Sequence, residues 1–228
     1  MDTILVCDDD KEIVDAIAIY LENEGYTVEK AYNGRQALQC LETVPEIKLA
    51  IMDVMMPGLD GIETTRKIRE ENNIPIIMLS AKSEDNDKIT GLRVGADDYV
   101  TKPFNPMELL ARVESQLRRA GMISMDKEED EVFRIGGLKL MDEDKSVEVD
   151  GKEARLTPLE YSILRLLVKN AGKVYSSAKI YEKIWKEEAI DTDNVVAVHI
   201  RHIREKIEIN PRDPRYLKVV WGVGYRVE

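Results

Sequence analysis

Short apolar runs alternate with helical patterns through the first half of the chain. Thr3–Cys7 (TILVC), Thr27–Ala31 (TVEKA), Lys48–Asp53 (KLAIMD), Pro75–Leu79 (PIIML) and Asp97–Val100 (DDYV) read as strands. Three of them are almost wholly apolar, as strands of a parallel sheet covered on both faces must be. Between the first two, Ile13, Ala16, Ile17, Tyr20 and Leu21 recur at i, i+3, i+4, i+7 and i+8 behind a cap at Asp10, the spacing of a helix with one buried stripe. Ala37, Leu38 and Leu41 mark another such face, and Leu109, Leu110, Val113 and Leu117 mark the last of this half. Five βα units predict an α/β domain over residues 1–120, doubly wound, with the flavodoxin-like strand order as the default.

The pattern stops from Gly121 to Glu131, where GMISMDKEEDE carries charge and no period. Residues 121–131 read as a linker, about 17–20 Å long on average and at most about 36 Å when drawn out. Residues 132–228 follow another grammar. FRIGGLKL and SVEVDGKEARL, with their Gly and Asp-Gly turns, predict a small antiparallel sheet. Thr157-Pro158-x-Glu160 opens a helix with a capping box and a first-turn proline, and Tyr161, Leu164, Leu167 and Val168 are its core face. Ser176–Trp185 predicts a short amphipathic helix, Asp193 to about Ile207 a third, and YLKVVWGVGYRVE a hairpin around Gly222 and Gly224.

Composition adds three constraints. No apolar run approaches the roughly 18 residues of a membrane span, and Asp2 and Asp8 break any basic-then-apolar leader, so no membrane partner and a cytoplasmic location are expected. Cys7 and Cys40 lack a CxxC or a nearby His and read as buried, reduced thiols. The net charge of −11 argues against general coating of nucleic acid. It is uneven, however: residues 1–121 hold 14 Lys/Arg against 23 Asp/Glu, 122–153 hold 5 against 11, and 154–228 hold 14 against 10. Only the last stretch is net positive, which points to a polyanion partner for that part alone.

The carboxyl ends of parallel strands are where such sheets bind ligands. Here they carry Asp8-Asp9-Asp10, Asp53, Ser80 and Lys102-Pro103. Alone, the Asp run is an acidic turn with a helix cap at Asp10, Ser80 a turn residue and Lys102 a surface lysine. Converging on one rim, the acids repel and call for a cation, and Mg²⁺ suits all-oxygen ligands. A carboxylate in such a setting can attack phosphorus to form an aspartyl phosphate, with the metal and Lys102 stabilising the transferring oxygens. A Mg²⁺-dependent phosphohydrolase is the competing reading, but it needs a second acid near Asp53, which Val-Met-Met does not supply.

ILVCDDD, AIMDVMMPGLDG, PIIMLSAK and GADDYVTKPF resemble the receiver domain of bacterial response regulators. The resemblance implies that Asp53 is the acceptor of a phosphoryl group from a sensor histidine kinase, and that Asp8 and Asp9 are the metal-binding pair, joined by Asp53 and the backbone carbonyl of Met55. It implies that Ser80 is the switch hydroxyl, Tyr99 the switch aromatic and Lys102 the conserved lysine, and that Lys102–Pro103 is cis. Phosphorylation then adds charge at Asp53, draws in Ser80 and Lys102, and lets Tyr99 turn inward. No more than slow self-dephosphorylation is expected, with Met55 and Lys82 flanking the water's approach, and no other enzyme activity. An atypical regulator that binds DNA without phosphorylation is the alternative, opposed by the complete acid, hydroxyl and lysine set.

Glu108, Arg112 and Arg119 fall at i, i+4 and i+11, on one side of their helix. With Lys88, Asp97 and Asp98 they permit a two-fold dimer pairing Lys88 with Glu108, Asp98 with Arg112 and Asp97 with Arg119. The pattern resembles active receivers of the OmpR/PhoB subfamily, which dimerise through the fourth helix, fifth strand and fifth helix. LTPLEYSILRLL, VHIRHIREKI and GVGYRV resemble the winged helix-turn-helix effector domain of that subfamily, an α+β fold that binds promoter DNA. On the third effector helix, Val195, Val198 and Ile203 form the inner stripe, with Val198 alternatively at the groove. Asn194, His199, Arg201, His202, Arg204 and Lys206 are polar; the first five read as base or phosphate contacts, and Lys206 as a solubilising charge. Many relatives carry Arg at the positions of His202 and Trp221; here Trp221 stands in the wing, with Arg226 as a weak substitute. VVWGVGYRV resembles regulators of vancomycin-type glycopeptide resistance. The loop Lys186–Asp191 reads equally as an exposed turn and as a contact for RNA polymerase. Two-fold receivers on head-to-tail effector modules imply direct repeats about 10 bp apart, with the linker reconciling the two symmetries.

Overall fold

The computed structural model describes residues 2–81, 91–92, 94–121, 131–189 and 193–228, with the Asp193 side chain left aside. The chain divides into two compact units, residues 1–124 and 125–228.

The first unit is built on five parallel strands, β1 (Thr3–Cys7), β2 (Thr27–Ala31), β3 (Ile47–Asp53), β4 (Ile76–Ala81) and β5 (Asp98–Lys102). Their order is β2-β1-β3-β4-β5, the flavodoxin-like arrangement that the sequence pattern predicts. Strand side chains alternate between the two faces. Ile4, Val6, Leu49, Ile51, Ile77 and Leu79 meet the helices Lys11–Asn23 and Pro106–Arg119 on one face. Leu5, Cys7, Ala50, Met52 and Ile76 meet the helices Gly34–Thr43 and Gly61–Glu71 on the other. β4 and β5 run two residues past the apolar stretches that announce them. The ladder continues through Ser80↔Thr101 and Ala81↔Lys102, because main-chain pairing does not need apolar side chains. Polar residues are thereby placed on rigid strand ends.

Cys7 is buried, with Sγ 3.4 Å from Met56 Sδ, and burial pushes its thiol up to about 12. Cys40, expected to be buried, is only half-buried, since its helix turns that position toward the edge of the core.

The second unit opens with an antiparallel sheet, β6 (Val132–Ile135), β7 (Leu138–Met141), β8 (Ser146–Val149) and β9 (Lys152–Glu153), in sequence order. Helices Pro158–Lys169, Ser177–Trp185 and Asp193–Ile207 follow, then a hairpin of β10 (Leu217–Val220) and β11 (Gly224–Val227). The capping box is present: Glu160 Oε2 accepts from Thr157 N at 2.8 Å, and Thr157 Oγ1 from Glu160 N at 3.4 Å. Gly224, at φ +151°, lets the hairpin approach Tyr175; a Cβ there would lie 2.0 Å from the Tyr175 carbonyl oxygen. No helix among the described residues is long and apolar enough to cross a membrane.

Candidate functional site

The carboxyl ends of β1, β3 and β5 bring Asp8, Asp53 and Lys102 into contact. Lys102 Nζ donates to Asp8 Oδ2 at 2.5 Å and lies 2.6 Å from Asp53 Oδ1. Asp8 is 1% exposed and Asp53 4%. Each also accepts one backbone N–H, Asp8 from Asp10 at 3.0 Å and Asp53 from Met55 at 2.9 Å. Asp9 is exposed, and a carboxylate oxygen from each of Asp8, Asp9 and Asp53 fits within 4.8 Å of the others. Burial pushes the Asp53 carboxyl above the usual aspartate range, and neighbouring Asp8 pushes the same way, against the pull of Lys102. Burial works against the Lys102 charge, but the bonds from Asp53 and Asp8 outweigh it and hold the ammonium above its ordinary value. Two carboxylates thus share one ammonium, with the Asp9 carboxylate close to both, a donor set of hard oxygens with negative charge left over, which fits a divalent cation such as Mg²⁺.

The surroundings hold the acceptor edge still. A Cβ on Gly61 would stand 2.0 Å from the Asp53 carbonyl oxygen, so only glycine lets the Gly61–Glu71 helix start there. Its cap is Asp60, whose Oδ1 accepts from Glu63 N at 2.7 Å. Ser80 is buried, and its Oγ has no hydrogen-bond partner among the described atoms. Tyr99 is partly buried against a cluster of Val54, Met78 and Ala96. Met55 projects into solvent beside Asp53. The Lys102–Pro103 bond is cis.

The expected dimer charges divide. Asp98 is bonded within its own chain by Arg112 at 3.0 and 3.1 Å, and Arg112 also reaches Glu108 at 3.3 Å. Asp97 corrects the sequence reading. It is buried, with Oδ2 accepting from Arg69 Nη2 at 2.7 Å and Ile76 N at 2.9 Å, so it braces β5 instead of facing a partner. Arg69, overlooked in the sequence, also donates to the carbonyls of Gly95 and Ile74, both at 2.8 Å. Arg119 donates to Ser115 Oγ at 2.8 Å. Lys88 and Lys82 lie outside the described residues.

In the second unit the helix Asp193–Ile207 buries a wider stripe than its polarity suggests: Val195, Val196, Val198, His199, Ile200, Ile203 and Ile207. His199 is a correction. It is 2% exposed, with its ring 5.7 Å from that of Trp185, which itself stacks on Tyr181 at 4.7 Å. Val198 is buried too, with 9% of its surface exposed. Arg204 is half-buried, and its Nε donates to the Leu217 carbonyl at 2.9 Å, tying helix to hairpin; burial lowers its pKa. The His202 side chain is 13% exposed, with Nδ1 3.9 Å from Glu160 Oε1, and Lys206 Nζ donates to Glu160 Oε2 at 2.6 Å. Lys206 is therefore not merely solubilising. Asn194 and Arg201 are exposed, and Trp221 is 88% exposed. Arg226 lies 2.6 Å from Glu228. Of the loop Lys186–Asp191, the last two residues lie outside the described residues.

Sequence reasoning also passed over Glu208. Its Oε2 accepts from Arg215 N at 2.7 Å and its Oε1 from Tyr216 N at 2.9 Å and Leu217 N at 2.8 Å. Nothing in REKIEINPRD marks this acid as different from its exposed neighbours.

Comparison with known proteins agrees with the two units. Residues 4–114 match the response regulator receiver domain, and residues 151–227 match the family described as transcriptional regulatory protein, C terminal. The chain is 47% identical over 229 residues to the regulatory protein VanR of Enterococcus faecium, covering 100% of this chain and 99% of that one. It is 45% identical to the regulatory protein VanRc of Enterococcus gallinarum, covering 99% and 98%. Among solved structures, the response regulator DrrB, an OmpR/PhoB homolog of Thermotoga maritima, is 36% identical, with a TM-score of 0.51 and coverage of 100% and 99%.

Proposed function

The chain belongs to the OmpR/PhoB family of two-component response regulators, and on that premise we propose that Asp53 is its phosphoacceptor and that phosphorylation couples two copies on promoter DNA. Members of this family are transcriptional regulators: the receiver domain implies a phosphodonor kinase, and the C-terminal domain implies DNA binding. The observation that carries the finer reading is the Lys102 ammonium bridging Asp8 and Asp53 beside the buried, unpartnered Ser80 hydroxyl.

Asp53 sits where β3 ends, so its carboxylate is fixed by the strand and open to a donor through the loop that follows. Asp8, Asp9 and Asp53, with the Met55 carbonyl, would hold Mg²⁺, which when bound supplies positive charge and oxygen ligation to a transferring phosphoryl group. A phosphoryl group on Asp53 adds about −1.5 to −2 charges and three strong acceptors. Lys102 then follows the new charge, and the Ser80 hydroxyl finds in it the partner it lacks. The volume that Ser80 vacates admits the Tyr99 ring from its cluster with Val54 and Met78, which reshapes the face of β5 and the Pro106–Arg119 helix. Two such faces pair about a two-fold axis, with Lys88, Asp98, Glu108, Arg112 and Arg119 as the charged rim and Asp97 as an internal brace. The Arg112–Asp98 bond within the chain must open for exchange across the axis. Residues 121–131 act as the linker between residues 1–120 and 132–228. The helix Asp193–Ile207 presents Asn194, Arg201 and part of His202 to direct repeats, and the segment 186–191 meets RNA polymerase. The acyl phosphate is lost only slowly without help, as the residues after Asp53, Val54-Met55-Met56, bring no acid to activate a water. The protein works in the cytoplasm.

Incubating the full chain with acetyl phosphate and Mg²⁺ tests this reading by intact mass. One stable phosphoryl adduct, absent in Asp53→Asn, is expected, together with a shift from monomer to dimer. An adduct that persists in Asp53→Asn, or none at all, refutes it; the latter favours the atypical, phosphorylation-independent regulator.

A further inference from the structure

Arg69 stands in the last turn of the helix Gly61–Glu71, with its side chain 10% exposed. Its guanidinium donates to four acceptors on two other stretches of chain. Nη1 reaches the carbonyl of Asn72, which caps the helix, at 3.2 Å and that of Ile74 at 2.8 Å. Nε reaches the Gly95 carbonyl at 2.8 Å, and Nη2 reaches Asp97 Oδ2 at 2.7 Å. Asp97 passes the grip on to β4: its Oδ2 accepts from Ile76 N, and its own N–H donates to the Ile76 carbonyl, each at 2.9 Å. Gly95, at φ +110°, leaves room for the arginine, since a Cβ there would lie 2.9 Å from Arg69 Cγ. A planar fork suits the task because its N–H donors point in fixed directions.

The amino ends of β4 and β5 are thereby held to one helix. This is the end of the sheet opposite the acid rim. Ile76 opens β4, and Ser80 lies four residues on, roughly 13 Å away at the rise of a strand. The Gly95–Asp97 stretch leads directly into Asp98, which Arg112 holds, and Tyr99. Ala96, inside that stretch, belongs to the cluster of Val54 and Met78 against which Tyr99 packs. Arg69 is thus remote from Asp53, yet it fixes the base of the two strands that carry Ser80 and Tyr99.

A local change at one end of a strand reaches a distant surface only if the strand cannot take it up by sliding. With their amino ends loose, β4 and β5 can absorb a shift of Ser80 and Tyr99 in small adjustments along their length. Pinned, they pass it to whatever is packed on them. We infer that Arg69, acting through Asp97, is the positioning residue that couples phosphorylation of Asp53 to the face of β5 and the Pro106–Arg119 helix. This rests on the phosphoacceptor reading of the first unit.

The test uses the full-length protein with and without acetyl phosphate and Mg²⁺. Intact mass gives the rate of phosphoryl uptake, and analytical ultracentrifugation gives the dimerisation constant of each form; their ratio is the gain on phosphorylation. Arg69→Gln takes up the phosphoryl group at the wild-type rate and loses about tenfold of the gain. Asp97→Asn loses a similar part, and the double variant loses no more than either, because both break one link. Ile68→Val, which loosens the neighbouring core without touching that link, keeps the gain. Should Arg69→Gln unfold, Arg69→Lys, which keeps the charge but not the fork, takes its place under the same outcomes. A full gain in the Arg69 variant overturns the inference, as does an equal loss in Ile68→Val, which would make general loosening the cause. Slower phosphoryl uptake in the Arg69 variant also overturns it, by making the arginine a support of the acceptor edge. Losses that add for Arg69 and Asp97 but not for Asp97→Asn with Arg119→Gln would place Asp97 at the dimer contact and remove its role here. A wild-type protein that takes up no phosphoryl group, or does not dimerise when it has, overturns the phosphorylation reading together with the inference.

Discussion

Both units bury acids, and they treat them in opposite ways. Asp8 and Asp53 share one ammonium, and each takes a single backbone N–H. Glu208 takes three backbone N–H groups, and Glu160 takes a backbone N–H and the Lys206 ammonium. Asp97, in the same unit as Asp53, resembles the second pair, with an arginine and a backbone N–H on one oxygen. Burial of a carboxylate is therefore no mark of chemistry by itself. Where its lone pairs are used up, the acid is a bracket; where acids outnumber their donors, charge is held ready for something that arrives later.

Substitutions sharpen that contrast. The largest effect belongs to Asp53→Asn, which abolishes phosphoryl uptake from acetyl phosphate by intact mass and does not lower the first unit's stability, because it relieves repulsion with Asp8. If the variant unfolds, Asp53 is a bracket after all. Glu208→Ala does the reverse: it strands three backbone N–H groups, two of them buried, and destabilises the second unit by about 3 kcal/mol in urea unfolding. A loss under about 1 kcal/mol breaks the comparison. Gly61→Ala drives a methyl into the Asp53 carbonyl and costs the first unit about 2 kcal/mol, with slower phosphoryl uptake as the acceptor edge shifts. Thr157→Ala removes half of a capping box and costs about 1 kcal/mol by thermal unfolding.

The smallest effect is a difference of sign with acidity. Asp53 has a raised pKa, so the folded first unit holds that proton more tightly than the unfolded chain; its stability falls as pH rises from the ordinary 3.8 through the raised value. Burial favours the neutral form of Asp142, but its bonds from Arg165 and Tyr161 outweigh that and lower its pKa. Its contribution is fully present above 3.8 and is lost as pH falls through the lowered value. Hydrogen exchange on the intact chain, read separately for each unit, should show opposite slopes. Asp53→Asn and Asp142→Asn should each flatten one of them.

The sheet was legible because its signal is redundant. Three strands of the first unit combine an apolar run with turn residues, and β1 and β2 fall where the sequence pattern begins and ends them. The rim was legible as a position, since strand ends are known once strands are. Partners were not legible. Asp97 and Asp98 are adjacent and alike in sequence, yet one is pinned by Arg69 and the other by Arg112. His199 reads as a polar helix position, and only the neighbouring Trp185 ring makes it interior. Arg204 and Glu208 look like surface charges until the hairpin folds back over the helix end. Periodicity reports which face a residue occupies when its polarity agrees with that face. It is silent where a polar group is buried with a partner distant in sequence.

Both histidines of the chain lie on one helix of the second unit, His199 buried beside the Trp185 ring and His202 half-buried beside Glu160. Neither imidazole is freely exposed, so a histidine that exchanges a phosphoryl group with the first unit would have to be brought by another protein.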